Sequence, residues 1–311
     1  MQYFSIVLSQ VIGFVVFVII GVLSVKTRIF GPRGLGLFSR FITHVTLPLL
    51  LFTNTLNGAT RQQFIEALPI ILITAIFYLV LYILCRFLAF VFHLKGNERQ
   101  VYRACSMFGN VGFMGIPIIA AVFPQQGMLY IALFTVVDQL LLWTLGVDLT
   151  APVDRLNAMS PAERLKKMVN PATVAIVLAV IGIFLGIKLP KSVDLALTRA
   201  GGITTPLAMI YMGGLFCYID IPKYVKDIEF YGAVLVKMCI LPLVFYYGLL
   251  HFGVLQDIAT TMALLASLPA MASVVMLAQN QKSAGNYAAG MTLVTTACSV
   301  ITIPLVCLFL R

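Results

Sequence analysis

The chain has 311 residues, 61% of them hydrophobic and only 10% charged, and its mean hydropathy is +1.02. A soluble globular domain carries about 25% charged residues, so this balance excludes one and points to a chain that crosses a membrane many times. The net charge of +10 would fit a nucleic-acid partner, but the positions of the basic residues account for it through membrane topology instead.

Apolar segments of roughly 20 residues, long enough to span a bilayer, fall at 4–24, 36–57, 68–92, 101–123 and 127–148, and then at 172–189, 194–216, 229–252, 258–278 and 286–310. No Lys or Arg precedes the first segment, and Lys26, Arg28 and Arg33 follow it. That is the reverse of a secretory signal, so the segment is read as retained. With the N-terminus outside, fifteen of the 21 Lys and Arg face the cytoplasm, five face outward and Lys237 lies within a span. The positive-inside bias therefore places both termini outside a cell membrane. The six cysteines show no CxxC spacing and read as buried apolar packing residues.

The second segment carries His44 next to Thr46-Leu-Pro48-Leu, and ends with Asn54 and Asn57. A helix-packing role is the simpler reading for His44, and capping for the asparagines. The fourth segment is interrupted by Phe-Gly-Asn-Val-Gly-Phe-Met-Gly-Ile-Pro, residues 108 to 117. Three glycines at about 1 kcal/mol each and a proline at about 3 give up roughly 6 kcal/mol of helix propensity. An unwound span must face protein or water, because lipid cannot satisfy freed N–H and C=O groups. Where the helix resumes, its N-terminus favours an anion. Asn110 adds an orientable amide, Gly109, Gly112 and Gly115 allow close backbone approach or tight helix packing, and Pro117 interrupts the ladder for a further turn.

In the fifth segment Asp138 lies ten residues from Asp148, or about 15 Å deep, near the bilayer midplane. A carboxylate there faces the protein interior and is a candidate coupling group for a proton or a sodium ion. The alternative is a structural clamp, hydrogen-bonded to another helix or paired with Lys237, whose own stem is long enough nearly to reach the cytoplasmic surface. A polar stretch, 151–170, then divides the chain, and Ser160-Pro-Ala-Glu163 within it has the cap, proline and capping-box residues that start a helix. Its apolar and basic alternation fits either a surface-lying amphipathic turn or a solvated connector.

Residues 1–150 and 171–311 each hold five segments, an odd number, so halves of like fold enter the membrane in opposite directions. Thr204-Thr-Pro206-Leu in the seventh segment resembles Thr46-Leu-Pro48-Leu in the second. The ninth is interrupted at Ser267-Leu-Pro269-Ala270-Met-Ala-Ser273, matching the break in the fourth. Corresponding broken spans in inverted halves point to a transporter's binding site.

Gly109 to Pro117 resembles the fourth-span signature of the auxin efflux carrier family, which includes plant auxin exporters and bacterial carriers labelled malate or malonate permeases. The run Leu268 to Ala278, followed by Val294 to Leu305, is similar to its last two spans. The resemblance implies an all-α integral membrane protein of ten transmembrane helices, arranged as two inverted five-helix repeats with broken crossover helices 4 and 9. It implies substrate held at the crossover and elevator-type movement of a transport domain against a scaffold. Carried over, Asn110 faces the substrate carboxylate, and Pro117 and Pro269 close the two motifs. Ala270 stands where plant members have a polar side chain, which argues against auxin itself; Ser273 supplies a compensating hydroxyl.

No His-Glu-x-x-His, second deep carboxylate, Gly-x-Ser-x-Gly or phosphate-binding loop occurs, so hydrolysis and direct ATP use have no site. The reading is a secondary carrier of a small organic anion, not an enzyme, with no cofactor, and with a bilayer, a coupling ion and a second copy of the chain as partners to consider. The alternatives are a sodium-coupled symporter of the bile-acid type, a channel or a receptor.

Overall fold

The computed structural model describes residues 2–58, 60–66, 68–123, 127–158 and 169–310. The expected helix at Ser160 lies outside them. Helix α1 is Gln2–Lys26, α2 Pro32–Gly58, α3 Leu68–Val91, α4 Gly96–Met107, α5 Ile116–Val122, α6 Gly127–Leu141, α7 Pro171–Leu185, α8 Lys191–Gly202 and α9 Thr204–Phe216. They are followed by α10 Ile228–His251, α11 Gln256–Ala266, α12 Ala272–Asn280 and α13 Gly285–Phe309. No strand occurs among the described residues. Helices α2, α3, α10 and α13 and the stretch Leu129–Leu149 are each long and apolar enough to cross a membrane, and Ile12–Lys26 and α7 are shorter apolar helices. The fourth, seventh and ninth sequence segments are each carried by two consecutive shorter helices.

Local sequence explains where these helices begin and bend. At α7, the Asn170 side chain accepts from the amides of Ala172 and Thr173, Pro171 occupies the first turn, and Gly186 closes the helix at φ +66°. Among the described residues, four π-helical turns occur, at Ile42–Thr46, Val111–Gly115, Leu142–Gly146 and Val234–Ile240. Three of them end two residues before a proline: Pro48, Pro117 and Pro242. Proline lacks the N–H that would bond four residues back, and its ring crowds that carbonyl, so a widened turn relieves the conflict without ending the helix.

The surface matches a lipid solvent. Along α3, Leu72, Ile76, Leu79, Ile83, Phe87 and Phe90 are exposed at helical spacing, while Phe77, Tyr78, Leu81 and Cys85 are buried on the other face. At about 1.5–3 kcal/mol per side chain, that stripe alone disfavours water by on the order of 10 kcal/mol. Of the cysteines, Cys85, Cys105 and Cys307 are buried, but Cys217 is exposed, at the end of α9 rather than within the packed core. With Cys239 and Cys298 only half-buried, three of the six depart from the reading of all as buried.

Two packing groups emerge. Helix α1 pairs with α9, and α2 with α7 and α8. Helices α3, α4, α6, α10, α11, α12 and α13 pack chiefly among themselves. Contacts of α1 with α5 and α13, and of α2 with α6, join the groups.

Candidate functional site

The two breaks meet. Between α4 and the π-turn before α5, and between α11 and α12, the chain is extended, and Gly109 pairs with Ala270 as an antiparallel bridge. The Asn110 amide donates to Pro269 O at 2.9 Å, and the Met271 amide to Phe108 O at 3.1 Å. Two backbone groups on each side that unwinding would strand are thus satisfied, as in one rung of a sheet. Ala270 N–H donates to Thr295 Oγ1 of α13 at 3.2 Å, and that hydroxyl donates to Met291 O. Thr295 escaped the sequence reading because a threonine in an apolar helix most often bonds its own preceding turn, which it also does here.

The glycines divide by what surrounds them. A Cβ on Gly109 would lie 3.3 Å from Leu268 Cβ, 3.4 Å from Leu265 O and 3.5 Å from Lys237 Nζ. On Gly115 it would lie 2.9 Å from Leu268 Cδ1 and 3.0 Å from Leu265 Cδ2. Both positions seat the break of the fourth segment on the end of α11. Gly112 is buried yet meets nothing within 4 Å, so the interior has room there.

Polar atoms are left over at the crossover. Asn110 is 1% exposed and Ser273 fully buried, and neither Asn110 Oδ1 nor Ser273 Oγ finds a hydrogen-bond partner among the described residues. Rotation of the amide exchanges its acceptor for its two-hydrogen donor end. Ser273 stands in the first turn of α12, whose leading amides have no partner within their own helix. Leaving a buried polar group unpaired costs about 1–3 kcal/mol, and such groups call for an explanation such as a ligand. Pro117 stands in the first turn of α5.

Asp138 is fully buried beside this centre. Tyr78 donates its hydroxyl to Oδ1, Gln139 Nε2 donates to Oδ2 at 2.6 Å, and Trp143 Nε1 donates to Gln139 Oε1 at 3.1 Å. The Tyr78 ring lies 5.8 Å from that of Phe108, which flanks the bridge. Lys237 does not reach the surface: it is 3% exposed and donates to Leu268 O at the end of α11. Neither partner of Asp138 was named from sequence: Gln139 adjoins the acid on its own helix, and Tyr78 lies 60 positions away on α3.

His44 is exposed, with Nδ1 2.9 Å from Thr43 Oγ1 and 3.1 Å from Arg40 O. It lines a cleft of about 260 Å³ with Thr43, Arg155, Asn280 and Gln281. A neighbouring cleft of about 310 Å³ holds Ser39, Tyr211, Asn280 and Asn286, so both open beside the C-terminal end of α12. A third, of about 380 Å³, is lined by Asn57, Arg61, Lys188 and Asp194, with Asn57 Nδ2 donating to Asp194 Oδ1 at 2.8 Å. Asn54 Nδ2, by contrast, is buried without a partner among the described residues.

A family of membrane transport proteins matches residues 6–307 of this sequence. An uncharacterized transporter of Methanocaldococcus jannaschii is 24% identical over 228 residues, covering 70% of each chain.

Proposed function

The chain belongs to this membrane transport protein family, with its auxin efflux carrier-like members, and from that premise we propose that it is a secondary active carrier of a small carboxylate-bearing anion. The observation that carries this reading is the crossover itself. Two broken segments bridge through Gly109 and Ala270, with the unpartnered Asn110 and Ser273 side chains buried beside them. A pore that merely conducts has no need for both breaks to close on each other, whereas broken helices crossing at one point are how alternating-access carriers build a site. Asn110 and Ser273 orient the carboxylate, the first turn of α12 supplies partial positive charge, and the room beside Gly112 accommodates the substrate's body.

In this reading the chain is a ten-span inverted repeat. The segregation of packing supports it: each half contributes its first two segments to the group of α1, α2, α7, α8 and α9, and its last three to the other. Movement of the second group against the first would carry the crossover between the clefts at the end of α12 and the cleft at Asn57 and Lys188. Charge places the former on the cytoplasmic side, with both termini outside. Asp138, buried one aromatic layer from the bridge, serves as the coupling group.

Uptake of labelled mono- and dicarboxylates into proteoliposomes, under imposed proton, sodium or potential gradients, tests the assignment. Asn110→Ala should cut transport at least about tenfold, the equivalent of 1.4 kcal/mol, with folding intact; full activity removes the site. Asp138→Asn should retain exchange but lose its response to an ion gradient, and unchanged coupling would assign that role elsewhere.

A further inference from the structure

The least expected side chain in the protein is Lys237. A lysine near the middle of an apolar span ordinarily either bends its stem toward the interface or pairs with an acid. Lys237 does neither: both Asp138 oxygens are taken by Tyr78 and Gln139, and the lysine amine is directed to Leu268 O. Leu268 lies in the break just after α11 ends at Ala266. Its carbonyl is therefore an unwound backbone oxygen outside the helical ladder, two residues past the partly negative C-terminal end of α11. In carriers built on broken spans, such unwound carbonyls are where a coupling sodium ion is ligated.

The second break touches the same nitrogen. A Cβ on Gly109 would lie 3.5 Å from Lys237 Nζ, so the amine sits where the fourth segment's extended backbone passes the end of α11. It rises from the π-turn Val234–Ile240, whose widened backbone precedes Pro242. Asp138 and Cys105 are the titratable groups whose charges bear on it. Among the described residues, no other lysine or arginine is buried as deeply; Arg103, the next most buried of them, stacks over Tyr82 and bonds Gln100.

We propose that Lys237 is a tethered cation, occupying the unwound carbonyl just past α11 where a mobile sodium ion would otherwise sit and holding the two breaks in register. The inference rests on the reading of the crossover as the transport site. It makes Lys237 a positioning residue, since it acts through backbone carbonyls and not on substrate.

Two measurements test this without knowledge of the natural substrate or with only a surrogate. The first is thermal unfolding of purified protein in detergent with sodium chloride against choline chloride at equal ionic strength. Wild type should show no sodium-specific stabilisation, and Lys237→Gln, which removes the charge but keeps a polar stem, should acquire one. The second is carboxylate transport into proteoliposomes. Wild type should run equally in sodium and choline buffers, and Lys237→Gln should fall at least tenfold in choline and recover in part with sodium. A wild type that needs sodium or is stabilised by it overturns the proposal, and this arm requires no variant to fold. So does a Lys237→Gln protein that is fully active in choline, or one that is inactive and gains no sodium-specific stabilisation. These outcomes are separate from the failure of the crossover reading, which full activity of Asn110→Ala would signal.

Discussion

At the seam between α1 and α9, a Cβ on Gly21 would lie 2.0 Å from Ile210 O, and one on Gly213 would lie 2.0 Å from Val18 O. At the crossover, a Cβ on Gly112 would meet nothing within 4 Å, although the residue is buried. The seam uses glycine as membrane helices commonly do, to let two backbones touch where no hydrophobic driving force separates helix from lipid. It leaves no room and no spare polar atoms at those positions. The crossover satisfies its backbone through the bridge and keeps both space and unpartnered side chains. One region is closed by backbone contact, and the other keeps open space beside buried polar atoms.

Substitution should separate the two regions, and the largest effect belongs to the seam. Gly213→Ala forces a methyl onto the Val18 carbonyl, so α1 and α9 must part, at a cost of about 1–3 kcal/mol. A clear drop in the thermal unfolding midpoint in detergent would register it; an unchanged midpoint would mean that the helices do not touch there. Next comes the open position. Gly112→Leu should fill the space and abolish carboxylate transport, while Gly112→Ala leaves the midpoint within the roughly 0.5 kcal/mol of a harmless substitution. Full transport by the leucine variant would show that the space serves no substrate. The smallest effect is expected at Pro48, which a π-turn already accommodates inside continuous α2. Pro48→Ala should leave transport within about twofold, in keeping with the same 0.5 kcal/mol scale, and a large loss would give this proline a role like that of Pro117.

That contrast also marks what the amino-acid order reveals. The break at Gly109 to Pro117 is legible because three glycines, an amide and a proline cannot be hidden in an apolar span without local satisfaction of the backbone. The resemblance of Pro48 and Pro206 is equally visible, yet the two differ in outcome: Pro48 lies in an unbroken helix, whereas Pro206 sits in the first turn of α9, just after the interruption at Ile203. A proline alone costs one hydrogen bond, which a wider turn or a helix start absorbs. The depth of Asp138 follows from counting residues, but its partner does not. Of the two clamps considered, a bond to another helix or a pair with Lys237, the structure has the first, to Tyr78 of α3, with Gln139 beside it. The bridge between residues 109 and 270 is a pairing across 161 positions, and no local pattern specifies it.

The most direct test is an experimental map of the protein determined with a small dicarboxylate present. The account predicts density for that anion against Asn110 and Ser273, at the meeting of the two interrupted segments. Anion density confined to the cleft of His44 and Arg155, with the crossover unoccupied, or residues 101–123 and 258–278 seen as unbroken helices, would contradict it.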